Sequence, residues 1–89
     1  MKFEFDPAKS AANKAKHGID FVEAQGLWAD PWVLEVPAKT EDEPRVMTTG
    51  QTLGKHWVAI WTPRGAKVRI ISVRRARKDE VDDYESGRI

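Results

Sequence analysis

The run His56-Trp57-Val58-Ala59-Ile60-Trp61 is apolar on both faces that a strand presents: Trp57, Ala59 and Trp61 on one, Val58 and Ile60 on the other. A strand with one wet face alternates apolar with polar residues, so this one belongs inside a sheet and is covered on both sides. The cover of its second face is open at this point: a C-terminal helix, a second copy of the chain, or another protein. Strand neighbours are close at hand. Trp32 to Val36, closed by Pro37, and Arg45 to Gly50 precede it; Lys67 to Arg75, rich in Val and Ile, follows it. Turns are expected at 51–55 and 62–66, and a polar, acidic loop at 38–44. Such short connections imply antiparallel hairpins.

The first third reads differently. Phe3 and Phe5 alternate with Lys2 and Glu4, as in a short strand. Asp6-Pro7 then opens a helix, with Asp6 as cap and Pro7 in the first turn. Ala8, Ala11, Ala12 and Ala15 recur at helical spacing and predict a narrow stripe for close packing, and Gly18 stops the helix. Asp20 and Glu23 are spaced as a capping box for a second helix carrying Phe21, Ala24, Leu27 and Trp28 on one face, ended by Asp30-Pro31. Residues 77–86 read as a terminal helix with Val81 and Tyr84 turned inward. The expected fold class is α+β in one domain, 1–89: an N-terminal short strand and two helices packed on a four-stranded, mainly antiparallel sheet, with a C-terminal helix.

Composition narrows the classes of function. Apolar residues make up 40% and charged residues 33%, a globular mixture. There are no cysteines, which removes disulfides, thiolate zinc sites and a cysteine nucleophile. No apolar run suits a signal peptide or a membrane span, so the expected location is the cytoplasm, with no membrane partner. No GxxxxGK[ST] loop, GxGxxG fingerprint or HExxH pair occurs, and no His/Asp cluster has metal-ligand spacing; no cofactor and no metal are expected. The net charge of +1 conceals segregation. Residues 64–78 carry Arg64, Lys67, Arg69, Arg74, Arg75, Arg77 and Lys78 without an acid, whereas 19–43 and 79–89 are acidic. A local positive field of that kind attracts polyanions.

Arg69 lies within an apolar run, where an unpaired guanidinium is costly. It must meet either a carboxylate, such as Asp6 or Glu23, or a phosphate. Strict alternation places Lys67, Arg69, Ile71, Val73 and Arg75 on one face and Val68, Ile70, Ser72 and Arg74 on the other. Guanidinium forks match phosphate oxygens in pairs, which favours phosphate for Arg69, Arg74, Arg75 and Arg77. His17 precedes Gly18 at a helix end, where the dipole favours a cation, and shares a polar face with Asn13, Lys9 and Lys16.

Phe5-Asp6-Pro7-Ala8-Lys9, Asn13, Lys16-His17-Gly18-Ile19, Phe21, Glu23-Ala24, Asp30-Pro31, Glu43-Pro44-Arg45, Gly50, Arg64-Gly65 and Arg69-Ile70-Ile71-Ser72-Val73-Arg74-Arg75-Ala76 together resemble the BrnT toxins. The resemblance spans nearly the whole chain in order. It implies a RelE-like fold and a type II toxin–antitoxin ribonuclease. It also implies neutralisation by a co-encoded BrnA-like ribbon-helix-helix antitoxin, with operator DNA met only through that complex. A homodimer or a heterotetramer with the antitoxin is left open.

A metal-independent ribonuclease uses the RNA 2′-OH as nucleophile and must remove its proton, neutralise charge at phosphorus and protonate the leaving oxygen. The expected catalytic set is Arg69, Ser72, Arg74, Arg75 and His17: the arginines on phosphate, Ser72 in support, and His17 for proton transfer, for which Lys16 and then His56 are the other candidates. Arg64, Lys16, Lys9 and Arg77 are expected to hold RNA. Trp28, Trp32, Trp57 and Trp61 are either stacking platforms or core, with core favoured for Trp28 and Trp57. The rival reading is a non-catalytic interaction module whose basic strand binds an acidic partner protein.

Overall fold

The computed structural model describes residues 1–38 and 43–87; most of the acidic loop expected at 38–44 lies outside them. The elements run β1 (Lys2–Glu4), α1 (Pro7–His17), a 3-10 helix (Glu23–Ala29), β2 (Leu34–Ala38), β3 (Arg45–Thr52), β4 (Lys55–Arg64), β5 (Lys67–Arg75) and α2 (Lys78–Ser86). All five strands form one sheet in the order β1-β5-β4-β3-β2. The doubly apolar strand β4 is therefore its centre, as its composition requires.

The sheet has five strands rather than the four expected, because β1 joins it. Phe3 pairs with Val68 and Glu4 with Arg69 in parallel, while every other pairing is antiparallel. This makes the sheet mixed. Two proline expectations also change. Pro37 lies within β2 instead of closing it, since an edge strand tolerates a missing donor. Pro63 lies within β4 beyond Trp61, the last β4 residue paired to β3, where no neighbour on that side needs its N–H. The turns shrink accordingly. Leu53 and Gly54, with φ of 55° and 71°, close β3 to β4 in the left-handed geometry of a tight hairpin.

Asp6 accepts from Ala8 N–H at 2.8 Å at the start of α1, and Gly18 ends it at φ 81°. Asp20 and Glu23 make the reciprocal capping contacts, Glu23 N–H to Asp20 at 2.7 Å and Asp20 N–H to Glu23 at 3.0 Å. What they open is a 3-10 segment and not the α-helix expected. Its seven residues include Gly26, whose missing Cβ leaves room for the Thr52 hydroxyl on β3.

The core lies on one face of the sheet. Ile19, Phe21, Ala24 and Leu27 pack on Trp57, Ala59, Val68, Ile70 and Val73, with Phe3, Phe5, Trp28 and Trp61 closing the margin. Trp28 stands edge-on to both Phe3 and Trp61, at 5.1 and 6.1 Å between ring centres, so it is core. Trp57 is buried as well, whereas Trp32 is 47% exposed.

Candidate active site

Helix α1 seats on the sheet by polar side chains. Its buried residues are Ser10 and Asn13, with His17 half-buried one turn further on. Ala8, Ala11, Ala12 and Ala15 all face solvent, which reverses the packing stripe expected of them. The cause is an unfinished sheet edge. β1 pairs β5 only through Arg69, so Val73, flanked by Ala59 of β4 on one side, has no strand on the other. Asn13 fills that place: its amide donates to Val73 C=O at 3.0 Å and its carbonyl accepts from Val73 N–H at 3.2 Å. A primary amide carries the same donor and acceptor as a peptide group, so one side chain completes the ladder. Asn13 also donates to Ile19 C=O at 2.8 Å, and Ser10 accepts from Phe21 N–H at 2.9 Å, fixing the turn after the helix.

A second local feature shapes the site. In the β4–β5 register Ile60 opposes Ser72 and Trp61 opposes Ile70, so Ile71 is an extra residue, a β-bulge. Alternation resets there. Val68, Ile70 and Val73 all enter the core, and Ile71 and Ser72 fall together on the opposite side. The strict alternation expected for β5 fails at this point.

Between α1 and the bulge runs a groove of about 210 Å³, lined by Lys9, Ala12, Asn13, Lys16, His17, Ile71 and Ser72. Four of the expected site residues, Lys9, Lys16, His17 and Ser72, meet here. Lys9 and Lys16 are exposed, while His17 is partly enclosed. The groove thus offers two ammonium groups, one imidazole and a hydroxyl around one opening.

The strand arginines lie elsewhere. Arg69 meets Glu4 at 2.9 Å across the β1–β5 pair, a carboxylate other than the Asp6 or Glu23 expected. Arg74 grips Glu80 of α2 with both nitrogens, at 2.7 and 2.8 Å. Arg74's guanidinium, with help from the Arg77 N–H at 2.8 Å, holds the Glu80 carboxyl down to about 2. Arg75 places its guanidinium 5.4 Å from the centre of the Trp57 ring, a cation–π contact. Arg64 is exposed at the end of β4 and Arg77 at the start of α2. The geometry therefore gathers the helix cations rather than the strand guanidiniums.

Two features were not anticipated from the sequence. His56 reaches Glu85 at 3.2 Å, and the Tyr84 hydroxyl donates to Asp30 at 2.6 Å, so polar contacts tie the end of α2 to β4 and to the end of the 3-10 helix. The bulge had one visible signal, the adjacent pair Ile70-Ile71 in an otherwise alternating strand. Among the described residues no three His, Asp or Glu side chains cluster closely enough to hold a metal ion. None of their helices is long and apolar enough to cross a membrane.

Comparison with known proteins gives one family. The family model described as ribonuclease toxin, BrnT, of type II toxin–antitoxin system matches residues 5–80, which takes in α1, the groove and all of β5. No curated protein matches the chain.

Proposed function

The chain belongs to the BrnT family of ribonuclease toxins of type II toxin–antitoxin systems, and on that premise we propose that it cleaves RNA in the groove between α1 and β5. The observation that carries this reading is the convergence of Lys9, Lys16 and His17 on Ile71 and Ser72. In the reaction proposed, the RNA 2′-oxygen forms a bond to phosphorus as the bond to the 5′-oxygen breaks. The His17 imidazole takes the 2′-OH proton, and the Lys16 ammonium gives one to the departing 5′-oxygen. The products are a 2′,3′-cyclic phosphate and a free 5′-OH. No metal is required, because Lys9 and Lys16 supply positive charge where anionic charge grows at phosphorus. Ser72 supports a phosphate oxygen. Arg75, displayed over Trp57, and the exposed Arg77 flank the path of the RNA, whereas Arg64, the register partner of Lys67, lies off that path. Arg69 and Arg74 act through position, holding β1 and α2 against β5.

The toxin acts in the cytoplasm until a co-encoded BrnA-like antitoxin binds it, and it reaches operator DNA only within that complex.

Incubation of the purified chain with RNA in EDTA tests the proposal. Wild type is expected to leave cyclic phosphate ends, and His17→Ala to lower the cleavage rate by about 10²-fold or more with the fold intact. Full cleavage by folded His17→Ala and Lys16→Ala variants overturns the groove assignment. RNA left intact by wild type, with tight partner binding, favours the non-catalytic module.

A further inference from the structure

The core covers one face of the sheet; the described residues cover the other face only in part. α2 is fastened at one end of it, to Arg74, His56 and Gln51. Beyond that end, the cross-strand register sets Val36 beside Met47, Met47 beside Ile60, and Ile60 beside the bulge. Val36, Met47, Ile60 and Ile71 thus form an aliphatic row across four strands. Val36 is 42% exposed, and the other three are half-buried.

The same face ends in a band of cations. Lys2 and Lys67 are register partners on β1 and β5, Arg64 opposes Lys67 on β4, and Arg45 starts β3. Lys2, Arg64 and Lys67 are exposed. Arg45 is 3.8 Å from Glu43, and its Nε is buried with no hydrogen-bond partner among the described residues. Arg69, met by Glu4, completes the band.

We infer that this row and band are the docking surface for the partner that neutralises the chain, through an amphipathic segment with an aliphatic stripe and an acidic flank. The inference rests on the toxin reading above and adds the surface and the chemistry of the partner. Three observations carry it. The band is cationic, so the complementary segment is acidic. The row is aliphatic and holds no aromatic ring, whereas single-stranded RNA is held by rings on which bases stack. Finally, the bulge joins the two surfaces. Ile71 ends the row and, with Ser72, lines the groove. A segment lying along the row abuts the groove at its β5 side and closes it to RNA.

The probe is the antitoxin encoded beside this chain's gene, purified separately and titrated against the full chain. Two variants are used: the charge reversal Lys2→Glu with Lys67→Glu, and Ile60→Ala. Circular dichroism verifies their fold, and neither touches the groove. Each is expected to cleave RNA as wild type does and to bind antitoxin at least about tenfold more weakly, with inhibition lost in proportion. Wild-type inhibition of both variants overturns the inference and leaves the toxin reading standing. Weakened RNA affinity in the charge-reversal variant gives the face to RNA and also overturns it. A wild-type dimer that Ile60→Ala dissociates gives the face to a second copy, with the same consequence. An antitoxin that neither binds nor inhibits the wild-type chain overturns the toxin reading itself.

Discussion

Asn13 occupies the place of a missing strand residue. Its amide satisfies Val73 on both backbone groups and Ile19 on a third, all in a buried setting. Removing it leaves those groups dry and unpaired, and each such group costs about 1–3 kcal/mol. Asn13→Ala is therefore expected to lose about 3 kcal/mol in urea unfolding, through a lower midpoint at constant slope. Asn13→Asp tests the reason. It keeps the volume and an acceptor but turns a carboxylate toward two carbonyl oxygens, so it should be the less stable of the two at pH 7. An aspartate variant as stable as wild type would show that Asn13 acts by shape and not by its hydrogen bonds. The groove depends on the same side chain, because α1 has no large apolar residue with which to hold Lys9, Lys16 and His17 in place.

The elements divide into those held by apolar burial and those held by charge. α2 is of the second kind. Tyr84 is its buried residue, and it is fastened by Arg74 to Glu80, Tyr84 to Asp30 and His56 to Glu85. Glu80 has a folded value of about 2 against an ordinary 4.5. A carboxylate whose value falls on folding stabilises the folded state above its unfolded value and loses that contribution as pH drops through the folded one. The Arg74–Glu80 tie should thus contribute fully above about pH 5 and fade between 4.5 and 2. With solvent screening it is worth about 1–2 kcal/mol. Glu80→Gln should lower stability by that amount at pH 7, with the gap narrowed to about half near pH 3 and closing toward pH 2; a gap that persists unchanged at pH 3 would assign the loss to something other than the ion pair. This division also decides what the sequence displays. β4 announced its central place because both of its faces are apolar, and the caps Asp6, Gly18 and Asp20 are short-range chemistry. The pairing of β1 with β5 depends on residues at opposite ends of the chain, and nothing near Phe3 encodes it. The bulge at Ile71 moved Val73 into the core and carried Ser72 to the groove side, which alternation from Lys67 onward could not foresee. For the same reason the arginine run looked like the site: sequence shows that cations are adjacent, but not that Glu4 and Glu80 come from elsewhere to meet two of them.

For the whole molecule, a net charge of +1 is the sum of fields that point to different places. The groove carries Lys9, Lys16 and His17 on α1, while the cationic band carries Lys2, Arg64 and Lys67 at the far end of the sheet face that the core leaves free. If both surfaces served RNA, every lysine would contribute to its salt dependence. If only the groove does, the contributions separate. Each phosphate neutralised on a single strand adds about 0.7 to the slope of log affinity against log salt. Lys9→Ala and Lys16→Ala should each flatten that slope by about 0.7, and Lys67→Ala should leave it unchanged. The measurement is anisotropy of a short labelled RNA with 2′-O-methyl sugars, which lacks the nucleophilic hydroxyl and binds without being cut, across a salt series. A slope that falls with Lys67→Ala and holds with Lys9→Ala would move the RNA out of the groove and onto the strands. The separation matters for control of the chain, because a partner seated on the aliphatic row needs only to reach Ile71 to obstruct a site whose cations it never has to neutralise.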